Sequence, residues 1–382
     1  MKIRSTSRGV VAAGVLCAAL VFSGCSADPS ASSAATDPAV VRAARTAVEA
    51  GYAGNDGSPP TNGPAPATGT SVWILSAFEQ IPGLAELTSQ TKEAVRAIGW
   101  RGSVCDGQNN VDGAWAKCVR QAVAADADAI ILESIDCAPV RSALKEARAA
   151  GIRVASLTSF DCDDPAQGGG DPLFDVTVPL GDDGVGPAEF SRETGALRAQ
   201  WAIARSGGDA DILHVEFRGV AFGDYQAEGF ETAIRACAGC DVVQTVTITT
   251  ADVGQIRQKF ETALLQAGNV DLVVVDSEFM MSGGIAAALR AASVQVPVLA
   301  GECGIDTIDY IHQGRATACT GMSLGRVAWA AVDGLNRVFA GRPTVPSGTG
   351  WYLVDAEHHL PAAGENFDGP VDYRSAYRRT WR

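Results

Sequence analysis

Positive charge is scarce in this 382-residue sequence, which has 30 Lys and Arg against 44 Asp and Glu and a formal net charge of −14. A chain this acidic lacks the basic surface that binds nucleic acid or docks on anionic membranes. Histidine is rare as well. The four histidines lie outside the motifs typical of hydrolases and zinc enzymes, and no glycine-rich phosphate loop opens a helix. We therefore expect no nucleic acid partner, no metal, no cofactor and no enzymatic activity.

A membrane-spanning run is also missing, because the longest apolar stretch, residues 9–22, is shorter than the ~20 residues that cross a bilayer. Three basic residues precede this stretch, and small residues lead from it to Cys25. The pattern resembles a bacterial lipoprotein signal, except that Phe22 stands where that signal usually has Leu. The resemblance implies that residues 1–24 are removed and that Cys25 carries lipid. An ordinary secretory signal is the alternative, and both would export the chain.

The sequence has ten cysteines, enough to form several disulfides. With Cys25 set aside, the predicted mature chain keeps an even number of cysteines, which is typical of disulfides in exported proteins. Cys237-Ala-Gly-Cys240 could instead be a thiol-redox pair, but no helix amino terminus follows it to lower a thiolate pKa. Neighbours along the sequence favour four pairs: Cys105 with Cys118, Cys137 with Cys162, Cys237 with Cys240, and Cys303 with Cys319.

The segment after Cys25 is poor in large apolar residues. Residues 26–36 are Ala, Ser, Asp and Pro, a composition typical of a flexible tether. Asp37 and Pro38 predict the start of a short helix that ends near residue 50, and residues 54–70 return to Gly, Pro, Asn and Thr. We therefore assign residues 25–70 to a tether with a short helix and expect the globular body to begin near Ser71.

From Ser71 onwards, short apolar runs alternate with helical patterns. Strands without polar alternation are buried on both faces, and strands separated by helices are parallel. The fold class is therefore α/β, with two doubly wound Rossmann-like domains whose strand carboxyl ends face a shared cleft. The predicted strands are residues 71–77, 102–105, 129–133 and 153–157 in the first domain, and 212–216, 242–247, 272–275 and 298–300 in the second.

Four segments in this order carry a resemblance to a known family: Asp106-Gly-Gln-Asn-Asn110, Ala127-Asp-Ala-Ile-Ile-Leu132, Glu228-Gly-Phe-Glu-Thr-Ala-Ile234 and Val298-Leu-Ala-Gly301. They resemble the ribose-type sugar-binding proteins of bacterial ABC transporters, which have a type I periplasmic binding fold. The resemblance implies a three-strand hinge, with crossings near residues 180–184, 322–323 and 346–349, and closure of the domains over a ligand. It implies an N-terminal domain of residues 71–183 and 323–345 and a C-terminal domain of residues 184–322 and 346–382.

The sugar clamp typical of that family is replaced in this sequence. Thr158, Ser159 and Phe160 stand where the family often has Asp-Arg, and Gln226 stands where it often has Arg. The remaining departures are Asp276 for Asn, Cys303 beside Glu302 for Asp, and Met322 for Gln.

The other predicted ligand-binding residues lie in loops at strand ends: Phe78, Glu79, Gln80, Asp106, Asp136, Phe217, Arg218, Tyr225 and Glu278. Aromatic faces together with hydrogen-bonding side chains suit a small polar ring. The excess of acids favours a ligand that is rich in donors. Two alternatives stay open: Asp106 and Asp136 could cap helices, and Phe217 could be a core residue under its loop.

These observations predict a monomeric solute-binding lipoprotein outside the cytoplasm, held on the outer face of the cell membrane through its lipid alone. It would deliver a small polar molecule, a sugar or a sugar-like polyol, to the permease of an ABC importer. The alternatives are a ligand-sensing receptor lipoprotein and a nucleoside-binding lipoprotein of the same fold. Transcription regulators share this fold but carry an N-terminal helix-turn-helix, which the signal and tether replace here.

Overall fold

The computed structural model describes residues 35–382, so the predicted signal peptide and Cys25 lie outside the described residues. The first helix, α1 (Pro38–Ala53), begins at the predicted residue, and Asp37 caps it by accepting the Ala39 amide at 2.8 Å. Within residues 35–382, no helix is long and apolar enough to cross a membrane.

The first sheet consists of five parallel strands in the order β2-β1-β3-β4-β5. Parallel neighbours need a crossover between them, and helices supply it. The strands are β1 (Ser71–Ser76), β2 (Arg101–Asp106), β3 (Ala129–Glu133), β4 (Arg153–Leu157) and β5 (Val176–Thr177), and the helices are α2 (Pro82–Ala97), α3 (Ala114–Ala124) and α4 (Cys137–Ala149).

The second sheet has six strands in the order β11-β10-β9-β8-β6-β7, and only β11 runs antiparallel to its neighbour. Its strands are β6 (Asp209–Phe217), β7 (Gly239–Ile248), β8 (Leu272–Val275), β9 (Val298–Glu302), β10 (Ala318–Gly321) and β11 (Tyr352–Asp355). The helices after β5 are α5 (Pro187–Ser206), α6 (Ala221–Ile234), α7 (Ile256–Ala267), α8 (Ala286–Ala291), α9 (Ile305–His312), α10 (Leu324–Phe339) and α11 (Tyr373–Thr380).

Each sheet is covered by helices on both faces, which explains the continuous apolar runs of its inner strands. In the first lobe, formed by β1–β5 with α2–α4, α10 and α11, one face packs on α2 and α10 and the other on α3 and α4. In the second lobe, formed by β6–β11 with α1 and α5–α9, one face packs on α1, α5 and α6 and the other on α7–α9. The predicted α/β class with two doubly wound sheets is therefore confirmed.

The helix α1 packs on the second lobe, so the folded body begins before Ser71. Val41 and Ala44 of this helix are buried in the cluster that contains Leu197 and Leu353. In addition, the Thr36 hydroxyl donates to the carbonyl of Gly208 at 2.6 Å. The tether assignment is wrong for this part of the chain. The apolar stripe of α1 is short, but it packs on α5 and β11.

Residues 54–67 lie along α10 of the first lobe rather than free in solvent. The carbonyl of Gly57 accepts a hydrogen bond from the buried Arg326 at 2.7 Å, and the carbonyl of Pro64 accepts one from Asn336 at 3.0 Å. Asp56 lies 3.2 Å from the Arg326 guanidinium. Composition did not predict this docking, because most of the bonds that hold the segment use backbone carbonyls, which every sequence has.

The last helix, α11, packs on the first lobe, although the predicted boundary assigns residues 346–382 to the second. Trp381 stacks on Trp329 of α10, with ring centroids 5.2 Å apart. Tyr373 and Tyr377 are buried in the same cluster. The chain therefore returns to the first lobe after β11, because Tyr373 and Tyr377 of α11, together with Trp381 just after it, complete the apolar surface of α10.

All four predicted disulfides are present, with Cα–Cα distances between 5.1 and 5.8 Å. Each distance falls within the ~4.4–6.8 Å that a disulfide requires. Cys137–Cys162 joins the segments that follow β3 and β4, and Cys303–Cys319 joins the residue after β9 to the neighbouring strand β10. The expectation from sequence proximity is confirmed.

Candidate functional site

The carboxyl ends of the two sheets face one cleft, and the lobes touch across it. The Tyr225 hydroxyl on α6 of the second lobe donates to Asp164 of the first lobe at 2.6 Å. The Ala221 amide at the start of the same helix points to the Asp136 carboxylate at 3.4 Å. On the other side, a Cβ added to Gly83 of α2 would overlap the carboxylate of Glu278, which follows β8. The two lobes are therefore in direct contact across the cleft.

The wall of the cleft in the first lobe contains a fully buried carboxyl group, Glu133, at the end of β3. Its two oxygens each lie 2.6 Å from a hydroxyl of α2, those of Thr88 and Thr91. Burial raises the pKa of Glu133 to about 7, although both hydroxyl contacts act to lower it. A charge at this position is costly, because few water molecules can solvate it.

Hydrogen-bond geometry around Glu133 also indicates a proton. The Thr88 hydroxyl lies 2.6 Å from both Glu79 and Glu133, and the Thr91 hydroxyl lies 2.9 Å from the Leu87 carbonyl and 2.6 Å from Glu133. A hydroxyl has one hydrogen and can donate only once. Each threonine therefore has more acceptors than hydrogens, and a protonated Glu133 can donate to one of them, in agreement with its raised pKa.

Three more loops of the first lobe shape the cleft. After β2, Asp106 accepts the amides of Glu79 and Gln108 at 3.2 and 2.9 Å, so it joins two loops rather than capping a helix. After β3 and β4, Ser134 and Thr158 both have φ of 53°, a conformation that only a few per cent of such residues adopt. Their hydroxyls lie 2.7 Å apart, which keeps both loops in this unusual turn.

In the second lobe, a fully buried arginine organises the polar residues. Arg198 on α5 donates to the Gln226 side chain at 3.1 Å, to the backbone carbonyl of Asp276 at 2.6 Å and to Glu302 at 3.0 Å. The Asp276 carboxylate, also fully buried, accepts a hydrogen bond from the Nε2 of His214 at 2.9 Å. One Asp276 oxygen has no hydrogen-bond partner among the described residues. Burying a charge requires compensation, and Arg198 supplies it for both acids.

Glu302 is held at four points, which leaves it little capacity for a ligand. One oxygen accepts from Arg198 and Gln226, and the other accepts from the Ser277 hydroxyl at 3.2 Å and the Glu278 amide at 3.0 Å. A carboxylate oxygen has two lone pairs, so both oxygens are fully used. Glu302 thus ties the loop after β8 to Arg198.

The Glu278 side chain faces the first lobe from that loop. Burial, followed by the negative charge of Glu302, raises the pKa of Glu278 to about 8. A Cβ at Gly304, the residue before α9, would overlap its carboxylate, as one at Gly83 would. Two glycines, one from each lobe, therefore make room for this carboxyl group.

The remaining predicted site residues divide between the core, the hinge and the rim. Ser159 is buried and bonds to the Ile135 amide and the Leu157 carbonyl within its own lobe. Phe217 lies in the apolar core of the second lobe, as its alternative role predicts, and Met322 packs against the cluster around α10. The rim and the loop after β1 hold the others: Arg218, which pairs with Glu216, Asp224 and Glu231, and Phe78 and Gln80.

Sequence reasoning missed several polar residues that build this cleft. Arg198 is one of several charged residues of α5, and no local pattern distinguishes it from those that are exposed or partly exposed. Glu133 had a signal, since it is the one charge in the buried run Ala129–Glu133, but the run was interpreted only as a strand. Thr88 and Thr91 are spaced three residues apart on α2 and so share a face, which becomes informative only once Glu133 is placed beside them.

Two surface cavities and one cluster of potential metal ligands lie outside the cleft. Two surface cavities of about 350 and 380 Å³ lie at the amino-terminal edge of the second sheet and beside β7, away from the cleft. Among residues 35–382, the grouping with metal-ligand spacing is Cys137, Asp161 and Cys162. Its two sulfurs are joined in a disulfide and cannot act as thiolate ligands.

Comparison with known proteins agrees with this two-lobed arrangement. The model of the family described as periplasmic binding protein domain matches residues 75–343. This chain belongs to the periplasmic binding protein family. Among curated proteins, none matches the sequence significantly. The family consists of substrate-binding proteins rather than enzymes, in agreement with the sequence prediction.

Solved structures of periplasmic binding proteins share the fold at low sequence identity. The arabinose-binding component of an ABC transporter from Shewanella sp. ANA-3 is 19% identical, with a TM-score of 0.62 over 75% of this chain and 92% of that one. A solute-binding protein from Actinobacillus succinogenes 130z with bound D-allose is 18% identical, with a TM-score of 0.62 over 75% and 98%. One from Bacillus halodurans C-125 with bound myo-inositol is 17% identical, with a TM-score of 0.62 over 76% and 96%. The resemblance to type I periplasmic binding proteins is confirmed.

Proposed function

We propose that this protein binds a small polar solute, a sugar or a sugar-like polyol, in the cleft between its lobes and delivers it to an ABC importer. The observation that carries the proposal is a closed cleft with buried polar side chains on both walls, in a chain of the periplasmic binding protein family. The structural relatives with arabinose, allose and inositol support the same ligand class. Opening and closing about the hinge would admit and release the ligand.

The charges of the cleft favour a neutral or cationic ligand over an anionic one. Glu79 and Glu278 reach the cleft from opposite lobes, and both terminal nitrogens of Arg198 in the second wall already donate to protein acceptors. An anion would meet the acidic side chains of both walls in a poorly solvated space, and once the pH exceeds about 8, where Glu278 is ionised, that like charge costs several kcal/mol. Hydroxyl or amine donors on the ligand would instead bind the carboxylate oxygens.

A thermal-shift screen of monosaccharides, polyols, amino sugars, nucleosides and organic acids tests this proposal, because a ligand that binds only the folded state raises its melting temperature. We expect stabilisation by a neutral sugar or polyol. Glu278→Gln should weaken that response, whereas Glu357→Gln, at an exposed position of the second lobe, should leave it unchanged. Stabilisation by sugar acids alone, with Glu278→Gln behaving like the wild type, would refute the ligand assignment.

We further propose that Cys25 carries lipid and holds the protein on the outer face of the cell membrane. The support is the signal-like pattern of residues 1–25 together with the extracytoplasmic role of this family. Replacing Cys25 with Ser should move the protein from the membrane fraction to the soluble fraction. If the variant stays in the membrane fraction, the anchor is not at Cys25.

Size-exclusion chromatography with light scattering tests the expected monomer.

A further inference from the structure

Five residues make direct contacts between the lobes at one side of the cleft. We name them the clamp: Asp136, Phe160 and Asp164 from the first lobe, and Ala221 and Tyr225 from the second. Phe160, Ala221 and Tyr225 form an apolar cluster of their own and are 1%, 3% and 9% exposed. The rings of Phe160 and Tyr225 have centroids 5.4 Å apart. Three of these residues, Asp136, Phe160 and Tyr225, are among those that the sequence assigned to ligand binding.

Polar contacts fix the clamp on both sides of the apolar cluster. The Tyr225 hydroxyl donates to Asp164 at 2.6 Å, and Asp164 also accepts the Ala166 amide at 2.8 Å, so its position is set within the first lobe. Asp136 accepts the Phe160 amide at 3.0 Å and the Gln167 side chain at 3.1 Å, in addition to the Ala221 amide. Asp136 and Asp164 are therefore held in position by contacts within the first lobe, independently of the second lobe.

The second lobe orients Tyr225 in the same way. The Arg192 guanidinium of α5 lies 4.3 Å from the centroid of the Tyr225 ring, a favourable cation–π arrangement. Arg192 is itself held by Glu228 at 3.0 Å. Each lobe thus presents a preorganised half, and the contacts between the halves exist only when the lobes are closed.

We propose that the clamp stabilises the closed state directly and that Tyr225 is a positioning residue, acting on ligand binding through closure rather than by touching the ligand. This inference rests on the proposed function for its effect on binding, but not for its effect on closure. A ligand that binds the closed lobes is held more weakly when the closed state is less populated. The ligand itself would contact the other part of the cleft, near Glu79 and Glu278.

Hydrogen–deuterium exchange on the purified full-length protein, without added sugar, tests the clamp. The Ala221 amide bonds across the cleft and is exposed when the lobes separate, so peptides covering residues 218–226 report opening. Tyr225→Phe removes only the hydroxyl that Asp164 accepts. Because a hydrogen bond to a charged group is lost, we expect exchange in these peptides to rise about tenfold. Peptides from the buried strands β3 and β8 should exchange at the wild-type rate, which separates opening from global destabilisation.

Matched controls come from neighbouring positions. Tyr310→Phe removes a hydroxyl from a tyrosine of the second lobe that stacks with Arg315 of its own lobe, and it should leave exchange in residues 218–226 unchanged. Asp164→Asn should raise that exchange, and Asp163→Asn, at the exposed adjacent residue, should not. Wild-type exchange in Tyr225→Phe, or an equal rise in the core strands, would overturn the proposal.

A titration separates this inference from the proposed function. With the neutral sugar that stabilises the wild type most in the screen, Tyr225→Phe should bind up to about tenfold more weakly, in proportion to its lost closure. If exchange rises but no sugar stabilises the wild type, the clamp stands and the sugar assignment falls. If sugar binds but exchange does not change, the clamp falls and the sugar assignment stands.

Discussion

Replacing Glu133 with Gln should make the protein less sensitive to high pH. Glu133 is fully buried, and burial raises its pKa from 4.5 to about 7. The folded protein therefore holds this proton more tightly than the unfolded chain does. Protonation stabilises the fold fully below about pH 4.5, and that stabilisation is lost as the pH rises through about 7. Glutamine keeps the shape of the protonated acid and cannot ionise.

The size of the effect follows from the two pKa values. At about 1.36 kcal/mol for each pH unit between them, the wild type should lose about 3 kcal/mol that Glu133→Gln does not lose. Near pH 4.5, the two proteins should have similar free energies of unfolding, because the glutamine amide can bond to Thr88 and Thr91 as the protonated acid does. At pH 8, the free energy of unfolding of Glu133→Gln should exceed that of the wild type by about 3 kcal/mol.

Urea denaturation followed by tryptophan fluorescence at pH 4.5, 6 and 8 measures this difference. Glu357→Gln, at an exposed position, controls for the removal of one negative charge from the protein. A constant difference between Glu133→Gln and the wild type across this range would mean that Glu133 does not hold a proton in the fold. A variant that loses stability faster than the wild type as the pH rises would contradict the reasoning outright.

Three further changes test other parts of the structure. Arg198→Met leaves the buried Asp276 and the Glu302 carboxylate without their cation, and urea denaturation should give a loss of about 3–5 kcal/mol. Gly301→Ala places a Cβ 2.6 Å from the Glu278 amide nitrogen at a φ of +70°, so thermal denaturation should show a clear loss of stability. The control is Gly314→Ala, which has a similar φ of +67° but open space around it, and it should cost only about 1 kcal/mol. Replacing Cys137 and Cys162 with Ala should cost about 2–4 kcal/mol, and peptide mapping of the unreduced wild type should recover both as one linked pair.

The strands and disulfides were predictable because their signals are local. The strands Ala129–Glu133, Arg153–Leu157 and Leu272–Val275 have the predicted bounds, since a short apolar run between helical patterns has one interpretation in this topology. The four cysteine pairs follow from proximity along the sequence, because each bond joins two cysteines that are consecutive along the described chain. Predicting these features does not require knowing which residues far apart in the chain are in contact.

The polar residues of the cleft were harder to predict because they depend on packing between elements far apart in the chain. Arg198 meets Asp276 and Glu302 only after α5, β8 and β9 are placed together. The sequence assigns Phe160 and Tyr225 to ligand binding because an aromatic side chain near a strand end can stack on a sugar ring. An aromatic ring can equally pack on another aromatic ring, and these two rings contact each other. Whether any predicted residue touches the ligand stays a prediction, and the screen and exchange experiments address it.

The docked segment at the amino terminus limits how far the folded body can lie from the membrane. Thr36 is already bonded to Gly208 and α1 is packed on the second lobe, so residues 36–70 cannot act as a leash. If Cys25 is the lipid attachment site, only about ten residues separate the membrane from the folded body, a span of at most ~40 Å. A leash that short confines the protein to a thin layer above the bilayer, where a permease meets it at a high effective concentration.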